Sequence, residues 1–334
     1  MKVLLDSFKA LGDPTRLRIT LLLQHCELTT TELCGILGQT QPRVSRHLKL
    51  LVEAGILLRH AEGSKAFYRT SPSEPSRGLL EYVSHTLQPL EPQLVGDLDR
   101  LEQVRQARST SATAYFSSVA SEWDQLRSLH VSDKKVETTL LEMAGKDSFS
   151  TLVDIGTGTG RMLELFADRV AKAVGVDENA AMLNVARSNL DRPELQHCSV
   201  RKASAYSLEL EPDSVDLAVF HHVLHFLDDP GRAICEAARV LEPGGQLLLV
   251  DFAAHKIERF RIDYSHRRLG FTDAEVDSWL QTAGLMLQQT VRFESDKDTK
   301  DEDTKENLTV IAWSAIADDH DIDPHQAGDE YAQI

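Results

Sequence analysis

The chain has 334 residues, a formal net charge of −16 and 42% hydrophobic residues, which points to two domains with connecting segments and not to one. No apolar run approaches the roughly 18 residues that a spanning helix requires, and Met1 to Ala10 lacks a signal-peptide core, so no membrane partner and a cytoplasmic location are expected. The cysteines Cys26, Cys34, Cys198 and Cys235 have no paired spacing; they read as reduced thiols, against a disulfide scaffold or a Cys-based zinc site.

Residues 1 to 75 carry ten Lys/Arg against seven Asp/Glu, net +3, so the acidic average hides a mildly basic head. Asp13 before Pro14 marks a helix start, with Leu17, Leu21 and Leu22 as its apolar face. Thr30 to Leu37 reads as a short helix ended by Gly38. Gln41 to Ala54 reads as the next, with Pro42 in its first turn and Gly55 beyond its end. There Val44, Leu48 and Leu51 point inward at helical spacing, while Arg43, Arg46, His47 and Lys49 fall largely on the outer face, the pattern of a recognition helix. The β-prone segments Ile56 to Arg59 and Ala66 to Thr70 flank Glu62-Gly63-Ser64-Lys65, a hairpin tip able to touch phosphates through Lys65 and Arg69. The alternative is a packing or dimerisation module whose arginines are merely solvated.

The stretches "LGDPTRLRI", "TTTELCGILGQTQPRVSRHLKLLVEAGIL" and "RHAEGSKAFYR" resemble the ArsR family of winged-helix repressors over about the first 70 residues. The resemblance implies a winged helix-turn-helix domain over 1–75 and a homodimer that sets one recognition helix per half-site of a double-stranded DNA operator. Gln41, Arg43, Ser45, Arg46, His47, Lys49, Lys65 and Arg69 are the implied DNA contacts. Metal-sensing members carry a Cys-x-Cys pair where this chain has Thr29 and Thr31, so a soft-metal site is not expected, and Cys34 with His25 or Cys26 reads as packing.

Residues 76–111 form a helical connector: two helices broken at Pro89 and Pro92, with Leu80, Val83, Leu87, Leu94, Leu98 and Leu101 as apolar stripes. They suit a subunit seam or packing against the chain's own body. Ala114 to Arg127 follows as an amphipathic helix.

Thr151 to Gly160 is an apolar run ending in alternating glycines, a strand feeding a tight turn and then a helix, Arg161 to Arg169. Gly156, Gly158 and Gly160 allow a ligand to approach the backbone, and free amides of the next turn face it, which makes a nucleotide cradle. Ala171 to Val176 reads as a second strand, and Asp177 at its end can accept from both hydroxyls of a ribose. Further strands are expected at Val215–Phe220, Gln246–Phe252, Leu287–Phe293 and Leu308–Ala315, with helices at Asn179–Leu190, Pro230–Val240 and Asp273–Ala283. The fold class is therefore α/β, a doubly wound Rossmann-like sheet after the winged head. Ser295 to Asn307 reads as a solvated loop and 317–334 as an acidic, disordered tail; from Glu294 to Ile334 thirteen acids face three lysines, net −10.

The glycine turn alone also suits a nicotinamide or flavin enzyme, whose third glycine falls one position later. In context, "VDIGTGTGRML", "VGVDENAAML", "EPDSVDLAVFHHVLHFLDDP" and "EAARVLEPGGQLLLVDF" resemble the class I S-adenosylmethionine-dependent methyltransferases over residues 112–316. The resemblance implies S-adenosylmethionine or S-adenosylhomocysteine as cofactor, its methionine end held by Asp154, Gly156, Gly158 and Gly160, its ribose by Asp177, its adenine against Met182 and bordered by Ser204, Ala205 and Tyr206. Thr157, Glu178 and His221 complete the implied contacts. Many members have Asp where this chain has Ser204, which implies a weaker grip on the adenine. His221, His222 and His225 fall where the family places its substrate pocket and are the catalytic candidates for a general base. His221 and His225 have the spacing of a metal pair but no evident third ligand, so no metal is expected. Cys198 and Cys235 are too few and too distant for the thiol chemistry of arsenite methyltransferases. His266 to Phe271 suits either an acidic substrate or a salt-bridged surface turn.

Two functions remain open on sequence alone. The chain is a transcription regulator whose body binds the cofactor or its demethylated product as a signal, or it is an active methyltransferase of a small metabolite with a self-regulating DNA-binding head.

Overall fold

The computed structural model describes residues 2–62, 65–71, 73–74, 76–86, 92–108, 110, 133–145, 148–263, 266–294 and 308–318. Gly63 and Ser64 of the hairpin tip, Leu87, Pro89, the expected helix Ala114–Arg127, the loop 295–307 and the tail from 319 lie outside the described residues. Contacts divide the chain into two units: Met1–Tyr115 with Asn184–Gln196, and Phe116–Leu183 with His197–Ile334. Among the described residues no helix is long and apolar enough to cross a membrane.

In the first unit α1 (Lys2–Leu11) and α2 (Pro14–Leu23) are separated by Asp13, whose carboxylate accepts from the Arg16 amide at 3.0 Å and caps α2. Next come β1 (Leu28–Thr29), α3 (Thr30–Leu37), α4 (Gln41–Glu53), β2 (Leu57–Glu62) and β3 (Lys65–Thr70). Thr29 caps α3 in a reciprocal box with Glu32, and Gly38 ends it at φ 63°. Hairpin strands β2 and β3 pair antiparallel from Leu57↔Thr70 to Glu62↔Lys65, and β1 joins on the far side of β3. Ile19, Leu33, Ile36, Val44, Leu48 and Leu51 make the core.

The connector forms α5 (Ser76–Thr86) and α6 (92–108). Leu80 and Leu101 enter the head core, whereas Tyr82, Val95 and Leu98 stay exposed. Asp97 of α6 is buried and takes a two-pronged pair from Arg18 of α2, 2.6 and 2.7 Å. The connector stripes are therefore used in part on their own chain. Asn184–Gln196 belongs to this unit because Arg187 lies 3.7 Å from the Phe67 ring centroid and pairs with Glu62, while Arg105 pairs with Asp191 at 2.6 Å.

The second unit holds α7 (Asp133–Ala144), β4 (Phe149–Ile155), α8 (Arg161–Phe166), β5 (Val170–Asp177), the start of α9 (Ala180–Asn189), β6 (Cys198–Lys202), β7 (Val215–His221), α10 (Pro230–Val240), β8 (Leu241–Phe252), α11 (Arg259–Asp263), α12 (Asp273–Thr282), β9 (Leu285–Glu294) and β10 (Thr309–Ala317). Sheet order is β6-β5-β4-β7-β8-β10-β9, with only β10 antiparallel to its neighbours. The chain leaves β4 toward β5 and β6 and returns to the other side at β7. This is the reversal at which ligands lodge against the carboxyl ends of doubly wound strands. Strands β4, β5 and β7 are buried over their carboxyl-terminal halves, with Ser150 of β4 and Ala171 and Lys172 of β5 exposed near the strand starts. Strand β8 begins at Leu241, five residues before its expected start, because Leu241 pairs with Val215; the register then shifts before Gln246 pairs with Leu217, and Gly244 at φ 75° lies in that irregularity. Helix α8 stops at Phe166, and Ala167–Arg169 tightens into a 3₁₀ turn.

Candidate functional site

On α4, Gln41, Arg43, Ser45, Arg46 and Lys49 are exposed while Val44, Leu48 and Leu51 are fully buried, so one helix face is free and polar. Two of the expected DNA contacts have partners within the chain. His47 is not on that face: its ring lies 3.7 Å from the Asp13 carboxylate and is largely covered, and burial lowers its pKa against the pull of Asp13. Arg69 turns to Glu27 at 3.9 Å and is mostly buried, whereas Lys65 at the start of β3 is exposed. Thr29, at one of the absent Cys-x-Cys positions, is used as the cap of α3. Burial pushes the Cys26 thiol up to about 11 and raises that of Cys34, which leaves both protonated.

The carboxyl ends of β4 and β5 build the second feature. Gly156, Gly158 and Gly160 all sit in the left-handed region, at φ 73°, 54° and 86°. The turn is tied to β5 by Gly156 and Thr157 amides donating to Val176 O at 2.8 and 2.9 Å, and the Gly158 amide donates to Asp177 Oδ2 at 2.9 Å. A Cβ on Gly156 would meet Val223 Cγ2 at 2.4 Å, whereas one on Gly158 would meet nothing nearer than 4.0 Å among the described residues. The turn thus packs on its Gly156 side and is open at Gly158.

Asp154 lies beneath this turn, 1% exposed. Its Oδ2 accepts from the Thr157 hydroxyl at 2.6 Å, and its Oδ1 is buried with no hydrogen-bond partner among the described residues. Desolvation, aided by the charge of Asp177 and opposed by the Thr157 hydrogen bond, pushes the Asp154 pKa up to about 7. Thr157 therefore faces inward to Asp154 and Gly175, and not into the cradle. Asp177 is half-buried, accepts the Asn179 amide at 2.7 Å as well, and has its pKa raised by desolvation. Glu178 is exposed; Met182, Ser204, Ala205 and Tyr206 are half-buried. Ser204 Oγ accepts from the Tyr206 amide at 3.3 Å, and the Tyr206 hydroxyl accepts from the Asp229 amide at 3.1 Å, which fixes the loop after β6.

Beyond β7 stand the three histidines. His221 is half-buried and its pKa is lowered by desolvation, against the pull of Asp133, Glu137 and Asp251. His222 has φ 57°, and its ring centroid lies 4.7 Å from that of His221. His225 is buried, and its Nδ1 lies 2.7 Å from Asp251 Oδ1. Asp251, buried at the end of β8, was missed from sequence; its signal is a carboxylate closing the apolar run Leu247–Val250, as Asp177 closes β5. Arg267 pairs with Asp228, and the Arg267 and Arg268 amides donate to His225 O at 3.0 and 3.2 Å. His266–Phe271 is therefore a salt-bridged turn that buttresses His225.

Residues 13–57 match the family model for bacterial regulatory proteins of the arsR family, and residues 153–249 match that of a methyltransferase domain. The arsenical resistance operon repressor of Escherichia coli K12 is 50% identical over 70 residues, 21% of this chain and 60% of its own length. YcgJ of Bacillus subtilis, named as an uncharacterized methyltransferase, is 33% identical over 103 residues, 31% of this chain and 41% of its own. The chain thus spans less than two thirds of either relative. A chain from the complex of the Haloferax volcanii Trm112 methyltransferase activator with a methyltransferase aligns at a TM-score of 0.50 and 19% identity, over 62% of this chain and 97% of that one, a likeness of fold. One polypeptide thus carries a segment similar to the arsR family and a segment similar to a methyltransferase domain.

Proposed function

We propose that the chain is a DNA-binding regulator whose body takes up S-adenosylmethionine or S-adenosylhomocysteine as a signal. The observation that carries this reading is the buried Asp154 Oδ1, unpartnered among the described residues, beneath a glycine turn that those residues leave open at Gly158. A desolvated carboxylate oxygen wants a cation or a donor, and both ligands bring an ammonium group at the methionine end. Asp177, already holding the turn through Gly158, keeps lone pairs for ribose hydroxyls. When bound, S-adenosylmethionine supplies an electrophilic methyl group. In the head, exposed Arg43, Arg46, Lys49 and Lys65 supply phosphate and base contacts. The exposed apolar side chains Val3, Leu4, Leu5 and Phe8 of α1 support a homodimer. Calorimetry with S-adenosylhomocysteine tests the cofactor half: one ligand per chain is expected, with at least about tenfold weaker binding for Asp154→Asn, and no binding by the parent chain would refute it.

A second reading, methyl transfer to a small metabolite, is favoured by one observation: Val223, next to His222, packs directly on Gly156, which sets the histidines beside the cradle. The lowered pKa of His221 keeps it in the neutral form that a base requires. Release of S-adenosylhomocysteine dependent on an added metabolite would establish this reading.

A further inference from the structure

We propose that His222, His225 and Asp251 form a binding site for a divalent transition-metal ion of the zinc, iron(II) or cobalt(II) class. One ligand atom from each of the three lies within 4.8 Å of the other two. The site follows from topology. Strands β7 and β8 run parallel with His221 opposite Val250, so the residues just past that pair, His222 and Asp251, emerge side by side. The His222 amide donates to Val250 O at 2.8 Å, and the backbone there is left-handed, φ 57°, a conformation that histidine adopts more readily than most side chains. The 3₁₀ turn Leu224–Phe226 then returns His225 to the same place.

Asp251 is fully buried, and its hydrogen bonds come from His225 Nδ1 at 2.7 Å and from the His225 and Phe252 amides at 3.3 and 2.8 Å. None of these is a permanent cation, while a carboxylate at such depth calls for positive charge. Two imidazoles and one carboxylate form a mixed nitrogen and oxygen set suited to zinc or iron(II) and unlike the all-oxygen cages of calcium or magnesium. Three protein ligands leave a coordination position open. The surroundings fix the donors: His266 stacks on His225 at 4.0 Å and 26°, and Phe252 lies 4.8 Å from His222 and 5.1 Å from His225. Since a ring nitrogen's lone pair lies in the ring plane, the stacked His266 supports His225 and does not share its ligand.

This site does not depend on cofactor binding or on methyl transfer. The test uses the full chain, stripped with a chelator, desalted and titrated with cobalt(II) chloride. One equivalent should develop visible ligand-field bands, and zinc should displace it. His222→Ala should weaken cobalt binding at least about tenfold, as should Asp251→Asn, whereas His255→Gln should leave it unchanged. Absence of the bands in the parent chain, or equal affinity in His222→Ala, overturns the proposal; in the second case the ion resides elsewhere and the His225–Asp251 contact serves packing alone.

Discussion

Asp154 concentrates the chemistry of the cradle in one carboxyl group. Its pKa of about 7 in the folded chain exceeds the 3.8 of an unburied aspartate, so the folded state binds this proton more tightly than the unfolded one. The associated stabilisation is present at low pH and is lost as pH rises through the window from about 4 to 7. Thermal melts of the ligand-free chain across that window should fall more steeply than those of Asp154→Asn, in which this titration is removed. S-adenosylhomocysteine binding should move the opposite way, strengthening from pH 6 to 8 as Asp154 ionises and meets the ligand's ammonium group; equal affinity at both pH values would place that group elsewhere. Gly156→Ala should abolish calorimetric binding, because the added methyl strikes Val223 at 2.4 Å and the residue must hold φ 73°. Asp154 and the glycines were legible in sequence because a strand, a tight turn and a helix start occur in consecutive residues. The inward turn of Thr157 was not, since Gly175, against which it packs, comes from the next strand.

At the scale of elements, α4 shows what periodicity does and does not specify. The inward Val44, Leu48 and Leu51 follow from 3.6-residue spacing and are all fully buried. Leu48→Ala should cost roughly 2–5 kcal/mol of stability in denaturant unfolding, and Thr29→Ala, which removes the reciprocal cap of α3, about 1 kcal/mol. Arg43→Ala with Arg46→Ala should leave stability within about 0.5 kcal/mol and reduce the slope of log affinity against log salt for duplex DNA by about 2, one phosphate contact each. An unchanged slope would remove these arginines from the interface. The contacts of His47 and Arg69 within the chain were not legible, because a helical wheel or a strand pattern contains no neighbouring elements. Asp13 caps one helix and faces another, and Glu27 waits beside the hairpin. The same limit hid Asp251: it joins the histidines only once β7 and β8 are known to be adjacent and parallel.

For the whole molecule, the two domain types were readable because each motif set is local, and each matches its own family over its own residues. What ties them into one function is a coupling free energy, which no local pattern encodes. A ligand shifts the DNA-competent population only by its differential affinity for the two states, and a tenfold preference corresponds to about 1.4 kcal/mol. The decisive measurement is fluorescence anisotropy of the full chain on its own upstream DNA at fixed salt, alone and with saturating S-adenosylmethionine or S-adenosylhomocysteine. A regulator that reads its cofactor should change its DNA affinity severalfold with at least one of the two ligands, and the change should vanish in Asp154→Asn. Specific DNA binding that is identical with and without both ligands, in a chain shown by calorimetry to bind them, would contradict the signalling role and leave an enzyme tethered to a repressor-like head.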